Sequence, residues 1–385
     1  MRRILFLASA LAFIDAVLFS VLTPMLPSYV SELGLTKAES GLLSSAYPWG
    51  AAAAVLPAGF LAQKLGARRL ICLGLLAMSA ASLLVAWSSN VVVLDVGRFA
   101  QGLFGAVIWA GAMAWLMVSV PEDRKGAAIG TAAGAGAIGA LIGPAVGTLA
   151  GVVGADWLFT GTLLLTLPLC LAVSLSGEGH VPSEIQKVGS VVSAVVSRPV
   201  LAAFAYLTVP ALGFGCILVL APLKVHELGG GGALIAAAFI AAGAVEAPLG
   251  PLAGHWSDRS GRRVPYLWGL AVFSLALAVM ATTNSLVLSI VVIPFGSIGG
   301  GLFISPAFAI FSDAAAETGL AQSHAFALSN TAFSVGLALG AFLGGVLAGA
   351  EGIGAPYFVL IGAFALLAIF ASRGLSGVPE RAAAS

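Results

Sequence analysis

The stretch GHWSDRSGRR, residues 254 to 263, has a weaker copy in the first half of the chain, GFLAQKLGARR at residues 59 to 69. At an offset of 195 residues, the matched positions are Gly59 with Gly254, Lys64 with Arg259, Gly66 with Gly261 and Arg68 with Arg263. Two further matches occur at offsets of 197 and 198: GALIGPAVG from Gly139 with GLALGAFLG from Gly336, and Pro24 with Pro222. Repeats of this kind are typical of membrane proteins built from duplicated helical bundles. The chain is therefore predicted to have two equivalent halves.

The composition places both halves in a membrane. Hydrophobic residues make up 60% of the 385 residues and charged residues only 9%, which is more apolar surface than a water-soluble core can bury. A membrane-crossing helix needs about 20 apolar residues, and twelve such stretches, called spans 1 to 12 here, lie near residues 4–28, 40–62, 68–88, 91–119, 125–150, 154–175, 199–222, 232–253, 264–283, 286–312, 324–349 and 354–372. The alternating pattern of a membrane β-barrel is missing from the sequence.

The predicted fold is thus an all-α integral membrane protein with twelve transmembrane helices in two six-helix bundles. The bundles comprise residues 1–176 and 199–385, and the polar residues 177–198 between them are expected to form a cytoplasmic linker. The apolar run that follows Met1 is interpreted as span 1, because it is too long for the apolar core of a signal peptide.

The distribution of basic residues predicts the orientation, because Lys and Arg are retained on the cytoplasmic side. With the N-terminus inside, the outer face carries only Lys37 and Lys224. The inner face carries fourteen basic residues: Arg2, Arg3, Lys64, Arg68, Arg69, Arg124, Lys125, Lys187, Arg198, Arg259, Arg262, Arg263, Arg373 and Arg381. Both termini are therefore expected in the cytoplasm, with the protein in the plasma or inner membrane of the cell.

Several classes of function are disfavoured by the residue content. Cys72, Cys170 and Cys216 all lie in apolar spans and are interpreted as small core hydrophobes. The sequence contains no cluster with metal-ligand spacing and no recognisable nucleophile motif, so we expect neither a metal, a cofactor nor an enzyme. The net charge of +1 gives no reason to expect nucleic acid. The expected partners are a small-molecule substrate, protons and membrane lipids, and the expected state is a monomer.

These motifs resemble those of the major facilitator superfamily. The resemblance rests on the Gly-x-x-x-Asp-Arg-x-Gly-Arg-Arg pattern at 254–263 with its copy, and on DVGRFAQG at 95–102, which is similar to the family's fourth-helix motif. GALIGPAVGT at 139–148 is similar to the fifth-helix motif of its proton-coupled antiporters, and DAVLFSVLTPMLP at 15–27 to the first helix of its drug:proton antiporter branch. The chain departs from these patterns at Gln63, where the family has an acidic residue, and at Thr148, where it has glycine.

Three charged residues, Asp15, Arg98 and Glu246, are predicted to lie within spans 1, 4 and 8. An isolated charge in hydrocarbon costs several kcal/mol, so each is expected to face a protein-lined or water-filled interior. We interpret Asp15 as the proton-coupling carboxylate, with a permanent structural hydrogen bond as the alternative. Arg98 either pairs with Asp15 or holds span 4 against span 1. Glu246 is a second titrating site, an attraction for a cationic substrate or a gate residue.

The repeated loop motif is interpreted as a conformational gate, with a simple topology signal as the alternative for its basic residues. Its members are Gly59, Gln63, Gly66 and Arg68 in the first half, and Gly254, Asp258, Arg259, Gly261 and Arg262 in the second. Because Gln63 cannot form an ion pair, the first-half loop is expected to hold its conformation less firmly. In span 5, Gly139, Gly143 and Gly147 are expected to form a groove for close helix packing, and Pro144 to allow a kink.

The resemblance implies a substrate cavity lined by spans 1, 4, 7 and 10. The substrate-binding candidates there are Phe19, Gln101, Trp109, Tyr206 and Phe214. Aromatic side chains with few polar groups suit an amphipathic, largely apolar ligand better than a sugar. The preferred function is a proton-coupled antiporter that exports hydrophobic or amphipathic small molecules by alternating access. A facilitator or symporter of a small nutrient such as a sugar is the alternative, and a membrane-embedded enzyme or scaffold is the weakest hypothesis.

The sequence also predicts the energy source of any transport. It contains no Gly-x-x-x-x-Gly-Lys-Ser/Thr phosphate-binding loop, so transport is expected to continue in ATP-depleted vesicles when a pH gradient is imposed. Substrate flux in vesicles with and without ATP measures this directly. Strict dependence on ATP would contradict the prediction.

Overall fold

The computed structural model describes residues 2–121, 124–176 and 193–375. Within these ranges there is no β-strand, and the chain divides into two compact units, Met1–Ile185 and Gln186–Ser385. Most of the predicted linker lies outside the described residues, as do Lys187 and Arg381 of the predicted inner face and the side chain of Gln63.

Unit 1 contains seven described helices, which correspond to spans 1 to 6. They are α1 (Arg2–Ser20), α2 (Leu22–Leu33), α3 (Lys37–Leu65), α4 (Ala67–Ala86), α5 (Val91–Ser119), α6 (Lys125–Val153) and α7 (Ala155–Ser174). Helices α1 and α2 together form span 1 and are separated at Val21. The loop side chains mark where helices begin: Thr36 accepts a hydrogen bond from the backbone N–H of Glu39 at the start of α3, and Asn90 caps α5.

Unit 2 contains six long helices in the described part of the chain, which correspond to spans 7 to 12. They are α8 (Arg198–Glu227), α9 (Gly232–Ser260), α10 (Arg263–Thr282), α11 (Leu286–Glu317), α12 (Gln322–Glu351) and α13 (Gly354–Gly374).

The prediction of an all-helical membrane protein is confirmed. Eleven helical segments among the described residues are long and apolar enough to cross a bilayer, with Arg2–Leu33 counted as one. The remaining long helix, α3, has 29 residues and is about 43 Å long at 1.5 Å per residue. It is less apolar because it begins with Lys37 and Glu39 and carries the sequence AYPWG, residues 46–50.

The glycines of span 5 pack against span 1. A Cβ atom added at Gly139 would meet the carbonyl group of Phe13, and one added at Gly147 would meet that of Val21. At Gly143 it would meet the Ser20 hydroxyl. Because these positions carry no side chain, α6 approaches the backbone of α1 closely. Helix α6 remains a single helix through Pro144.

Unit 2 repeats this packing with the matching glycines of span 11. A Cβ at Gly336 would meet the carbonyl group of Thr208, and one at Gly340 would meet that of Leu212. Gly344 lies against Cys216 in the same way. Helix α12 therefore packs on α8 as α6 packs on α1. The sequence repeat therefore corresponds to a repeated pattern of helix–helix packing in the two units.

The loops of the repeated motif turn at equivalent glycines. Gly66, between α3 and α4, has φ of 76°, and Gly261, between α9 and α10, has φ of 82°. This conformation is strained for residues with a side chain. It explains why both copies of the motif place glycine at this position. Gly59 and Gly254, by contrast, have open space where a side chain would lie.

Polar side chains join α4 to α7 along most of their length. The hydroxyls of Ser79 and Thr166 form a buried hydrogen bond, and Trp87 donates from Nε1 to Thr160 Oγ1 at 3.1 Å. At the other end of α4, Arg68 donates from Nη1 to the carbonyls of Ser174 and Ser176, at 3.0 and 2.6 Å. These contacts fix the position of two helices that also expose many leucines.

A charged residue at the outer face would be expected to be exposed to solvent, but Lys224 is not. Its side chain is buried, and Nζ donates to the carbonyl of Met280, near the end of α10, at 2.6 Å. A cation at the carboxyl end of a helix is favourable. Lys224 therefore joins α8 to α10 within unit 2.

The glycine contacts predict opposite effects for two alanine substitutions in α6. Gly139→Ala places a methyl group against the Phe13 carbonyl and is expected to lower the free energy of unfolding by about 1–3 kcal/mol. Gly134→Ala is the matched control, because Gly134 is exposed with no atom near its Cβ position, and it is expected to stabilise the helix by up to about 1 kcal/mol. Thermal unfolding of the detergent-solubilised variants tests this. Equal changes for both would show that α6 does not pack closely on α1.

Candidate functional site

Asp15 is enclosed by three helices of unit 1. The Tyr47 hydroxyl, on α3, donates a hydrogen bond to Asp15 Oδ1 and lies 3.3 Å from the Asp15 main-chain carbonyl oxygen. A Cβ at Gly105 of α5 would overlap the same carboxylate oxygen and would also lie against the Tyr47 hydroxyl. The carboxyl group therefore occupies a space that exists only because position 105 has no side chain.

Arg98 lies behind Tyr47 and is fully buried. Its Nη1 donates to the Leu18 carbonyl at 2.8 Å and to Gln101 Oε1 at 2.9 Å, and its Nη2 donates to the Phe19 carbonyl at 3.1 Å. The guanidinium carbon lies 4.9 Å from the centre of the Tyr47 ring, a distance typical of cation–π contacts. No ion pair joins Arg98 to Asp15 among the described residues. Of the two alternatives for Arg98, these contacts correspond to the one in which it holds span 4 against span 1, and the Tyr47 ring lies between its guanidinium and Asp15.

The break in span 1 explains why carbonyl groups are available to Arg98. Helix α1 ends at Ser20 and α2 begins at Leu22, so Leu18 and Phe19 lie in the last turn of α1, and Pro24 has no N–H to donate to the Ser20 carbonyl. The last carbonyl groups of a helix have no N–H partner within the helix, so they accept hydrogen bonds from other donors and interact favourably with a nearby cation. Arg98 binds two of these groups and thereby holds α5 against the end of α1.

Gln101 forms hydrogen bonds that support Arg98. It is fully buried, accepts from Arg98 through Oε1, and donates from Nε2 to Ser82 Oγ of α4 at 2.9 Å. These contacts favour a supporting role for Gln101, and its predicted contact with substrate stays a prediction. Its side chain links α4 to the buried guanidinium.

Tyr206 is also packed inside its own bundle. Its side chain is 7% exposed, its ring lies 5.8 Å from that of Tyr266, and its carbonyl accepts from the Tyr266 hydroxyl at 2.7 Å. This burial does not suit the predicted role in substrate binding. Phe19 and Trp109 differ, because both are partly exposed, and the Phe19 ring lies 5.4 Å from that of Tyr47.

Phe214 belongs to a cluster of aromatic rings in unit 2. Its ring lies 5.1, 5.7 and 6.3 Å from the rings of Phe273, Phe303 and Phe333. Phe273 and Phe303 are buried, whereas Phe214 and Phe333 are partly exposed. The cluster thus has a closed interior and a partly open aromatic edge.

Glu246 lies on α9, which packs against α11, the helix that carries Phe303 of this cluster. A Cβ at Gly300 of α11 would meet the Phe214 ring, and one at Gly301 would meet Leu249 and lie near the Glu246 carbonyl. Because these two adjacent glycines have no side chains, α8 packs closely on α11 at Gly300 and α9 packs closely on it at Gly301. The Glu246 side chain is partly exposed and has no hydrogen bond or ion pair to another described residue.

The structure adds two residues that the sequence interpretation missed. Tyr47 lies in the least apolar span, where AYPWG interrupts the hydrophobic run. Asp95 precedes Arg98 by one helical turn on α5, and its Oδ1 atom is buried without a hydrogen-bond partner among the described residues. Both were visible as polar residues inside predicted spans. Their spacing gave no indication of which side chain would reach Asp15.

The predicted gate loop of unit 2 carries a network of charged side chains. Arg262 donates to Asp258 and, from Nε, to Asp313 Oδ2 at 3.2 Å near the end of α11. Partial burial alone would lower the pKa of Arg262, but hydrogen bonds to Asp258 and then Asp313 outweigh it and raise that pKa. Arg262 therefore remains charged and connects the loop to α11. Arg259 is exposed.

The matching loop of unit 1 cannot form the same network. At the offset of 195 residues, Asp258 corresponds to Gln63 and Arg262 to Ala67, so both members of the ion pair are missing. Arg68 instead binds the carbonyls of Ser174 and Ser176 at the end of α7. The expected asymmetry between the loops thus extends to a second position.

Comparison with known proteins agrees with this architecture. The family model described as Major Facilitator Superfamily matches residues 6–245 and 209–384. The chain belongs to the major facilitator superfamily. It is 30% identical over 286 residues to the multidrug resistance protein MdtG of Salmonella paratyphi C, a match that covers 70% of each protein.

Other relatives match over shorter regions or by fold alone. The MdtG protein of Serratia proteamaculans is 35% identical over 153 residues, which is 38% of this chain and 37% of that protein. Several further curated relatives are matched over 29% to 37% of their length. The crystal structure of a D-xylose–proton symporter superposes with a TM-score of 0.75 at 15% identity, covering 98% of this chain and 97% of the symporter. At that identity, the similarity shows the fold only.

The hydrogen bond to Asp15 predicts a specific cost for Tyr47→Phe. Removing the hydroxyl takes a donor from a carboxylate, which is expected to lower the free energy of unfolding by about 1.5–3 kcal/mol near neutral pH. Tyr357→Phe is the matched control, because the buried Tyr357 hydroxyl has no partner among the described residues and its loss is expected to be nearly neutral. Thermal unfolding of the two purified variants provides the comparison. An equal loss in both would mean that the Tyr47 hydroxyl contributes nothing specific.

Proposed function

We propose that this transporter is a proton-coupled antiporter that exports hydrophobic or amphipathic small molecules by alternating access. The observation that carries the proposal is the environment of Asp15: a carboxyl group inside a membrane bundle, hydrogen-bonded to a tyrosine hydroxyl and not ion-paired with the buried arginine nearby. A carboxylate in this position suits reversible protonation.

The balance of forces on Asp15 supports this role. Its carboxyl group has one hydrogen-bond donor among the described residues, the Tyr47 hydroxyl, and the ring of that tyrosine lies next to the Arg98 guanidinium. A direct salt bridge with Arg98 would hold the carboxylate permanently charged. Because Arg98 instead binds the Leu18 and Phe19 carbonyls, Asp15 remains free to gain and lose a proton as its access to water changes.

The aromatic surfaces support the proposed substrate class. In unit 1, Phe19 lies beside Tyr47, one helical turn from Asp15. In unit 2, the partly exposed rings of Phe214 and Phe333 form an apolar edge. Such surfaces favour planar or flexible apolar molecules, and the unpaired carboxyl group of Glu246 favours those with a positive charge. The relative named multidrug resistance protein MdtG is consistent with such a substrate.

The remaining features of the proposal follow from the charge distribution and the residue content. We propose that both termini face the cytoplasm and that the protein resides in the plasma or inner membrane as a monomer. We also propose that it works without a cofactor and without catalysis. Cysteine labelling of the two faces in intact cells and in broken cells tests the orientation.

The function can be tested in proteoliposomes that contain the purified protein and a pH-sensitive dye. A panel of fluorescent amphiphilic cations, including ethidium and rhodamine 6G, is loaded with and without an imposed pH gradient. The proposal requires accumulation against the concentration gradient of at least one compound, with proton movement in the opposite direction. Proton and substrate moving together, or sugar equilibration without a proton requirement, would instead support the symporter or facilitator.

Asp15→Asn is predicted to keep the fold and abolish accumulation driven by the pH gradient, because the amide is nearly isosteric but cannot carry the proton. Asp15→Glu is predicted to keep some activity with a changed pH dependence. Glu246→Gln serves as the comparison, because it removes the other unpaired carboxyl group and is expected to change cation preference while proton exchange continues. Transport assays at equal protein level measure all three. Uphill transport by the Asn variant at the wild-type rate would move the coupling role to Glu246 and leave Asp15 a structural hydrogen-bond acceptor.

A further inference from the structure

Two of the three cysteines meet across the contact between α4 and α7. Cys72 Sγ lies 3.7 Å from the Cys170 carbonyl oxygen, and Cys170 Sγ lies 3.8 Å from the Cys72 carbonyl oxygen. Each side chain thus extends across to the backbone of the other. Sequence analysis had treated these residues as separate core hydrophobes.

This thiol pair is open to small molecules, unlike the third cysteine. Cys72 and Cys170 are both partly exposed, whereas Cys216 is fully buried against α12. The neighbouring side chains Leu73 and Leu171 are 55% and 60% exposed, so the surface around the pair is apolar. An uncharged reagent is expected to reach it more readily than a charged one.

The pair also lies near the ends of its helices. Cys72 is five residues after the start of α4 and Cys170 four residues before the end of α7, which places both within about 8 Å of a helix end. Arg68 binds the Ser174 and Ser176 carbonyls at this same end, so α4 and α7 are already held together there. Little backbone movement is then needed to bring the sulfur atoms into bonding distance.

We propose that Cys72 and Cys170 form a reversible disulfide when an uncharged two-electron oxidant reaches them. In this step each thiol loses its proton, the two sulfur atoms form a bond, and the two electrons and two protons pass to the oxidant. With diamide, the N=N bond becomes the hydrazine N–N bond with a hydrogen on each nitrogen. A dithiol such as dithiothreitol reverses the reaction by thiol–disulfide exchange. The bond joins two helices whose cysteines are 98 residues apart.

The inference does not depend on the proposed transport function, because neither cysteine contacts Asp15, Tyr47 or Arg98. Its test therefore needs no substrate. Native membranes are treated with diamide, free thiols are blocked with N-ethylmaleimide, and the protein is denatured and reduced. The thiols released by reduction are then counted by gel shift with a polyethylene glycol maleimide.

The expected result is two added polymer chains on the wild-type protein after diamide and none without it. Cys72→Ser and Cys170→Ser are expected to add none, whereas the matched control Cys216→Ser is expected to add two. Non-reducing gels must show the oxidised wild type as a monomer. No released thiols in the wild type, two in either single-serine variant, or oxidation confined to a dimer band would each overturn the proposal.

A second measurement reports on the cross-link without counting thiols. Linking α4 to α7 is expected to raise the midpoint of thermal unfolding of the oxidised wild type, and dithiothreitol is expected to return it to the reduced value. The oxidised Cys72→Ser variant is expected to unfold at the temperature of its reduced form. A diamide-induced shift of equal size in that variant would show that the effect comes from another site.

Discussion

Unit 1 is organised around the burial of a guanidinium that is always charged. Removing water from such a group costs several kcal/mol even after the protein relaxes, so its donors need acceptors. The two terminal nitrogens of Arg98 meet this requirement with the Leu18 and Phe19 carbonyls and the Gln101 amide, and the guanidinium also lies over the face of Tyr47; its Nε has no hydrogen-bond partner among the described residues. These partners come from α1, α3 and α5. One buried side chain therefore connects three helices of unit 1 at the break in span 1.

The duplication of the chain is maintained in packing but not in polar chemistry. Glycines at matching positions bring α6 onto α1 and α12 onto α8. At the offset set by Pro24 and Pro222, however, Asp15 corresponds to Gly213, where a side chain would strike Phe273. Unit 2 has aromatic packing where unit 1 has its carboxylate. In the loops the opposite holds, because the charged pair of Asp258 and Arg262 is present in unit 2 and has no counterpart in unit 1. The two halves share one scaffold and carry different chemistry.

The sequence predicts those features that depend on local pattern or on a large energetic penalty. Span length and glycine spacing are local, and Asp15 and Arg98 stand out because charge is costly in a bilayer. Tyr47 could not be identified as their intermediary, since its role depends on how α3 packs against α5. The contacts of Gln101 could not be identified for the same reason: a polar residue beside Arg98 can face a cavity or support the arginine, and only tertiary packing decides. Lys224 was counted as an exposed charge because its acceptor, the Met280 carbonyl, is distant in sequence.

Because the proposed role of Asp15 requires glycine at position 105, a single-base mutation of that codon can disrupt it. Asp15 is positioned as much by the missing side chain at position 105 as by the hydroxyl of Tyr47. Every glycine codon becomes an alanine codon through a single base change, and the added methyl group would fall on the carboxylate oxygen. A population under no pressure to keep the proposed activity can therefore lose the site in one mutational step. Under selection, position 105 should be among the least variable in α5, even though its residue has no functional group.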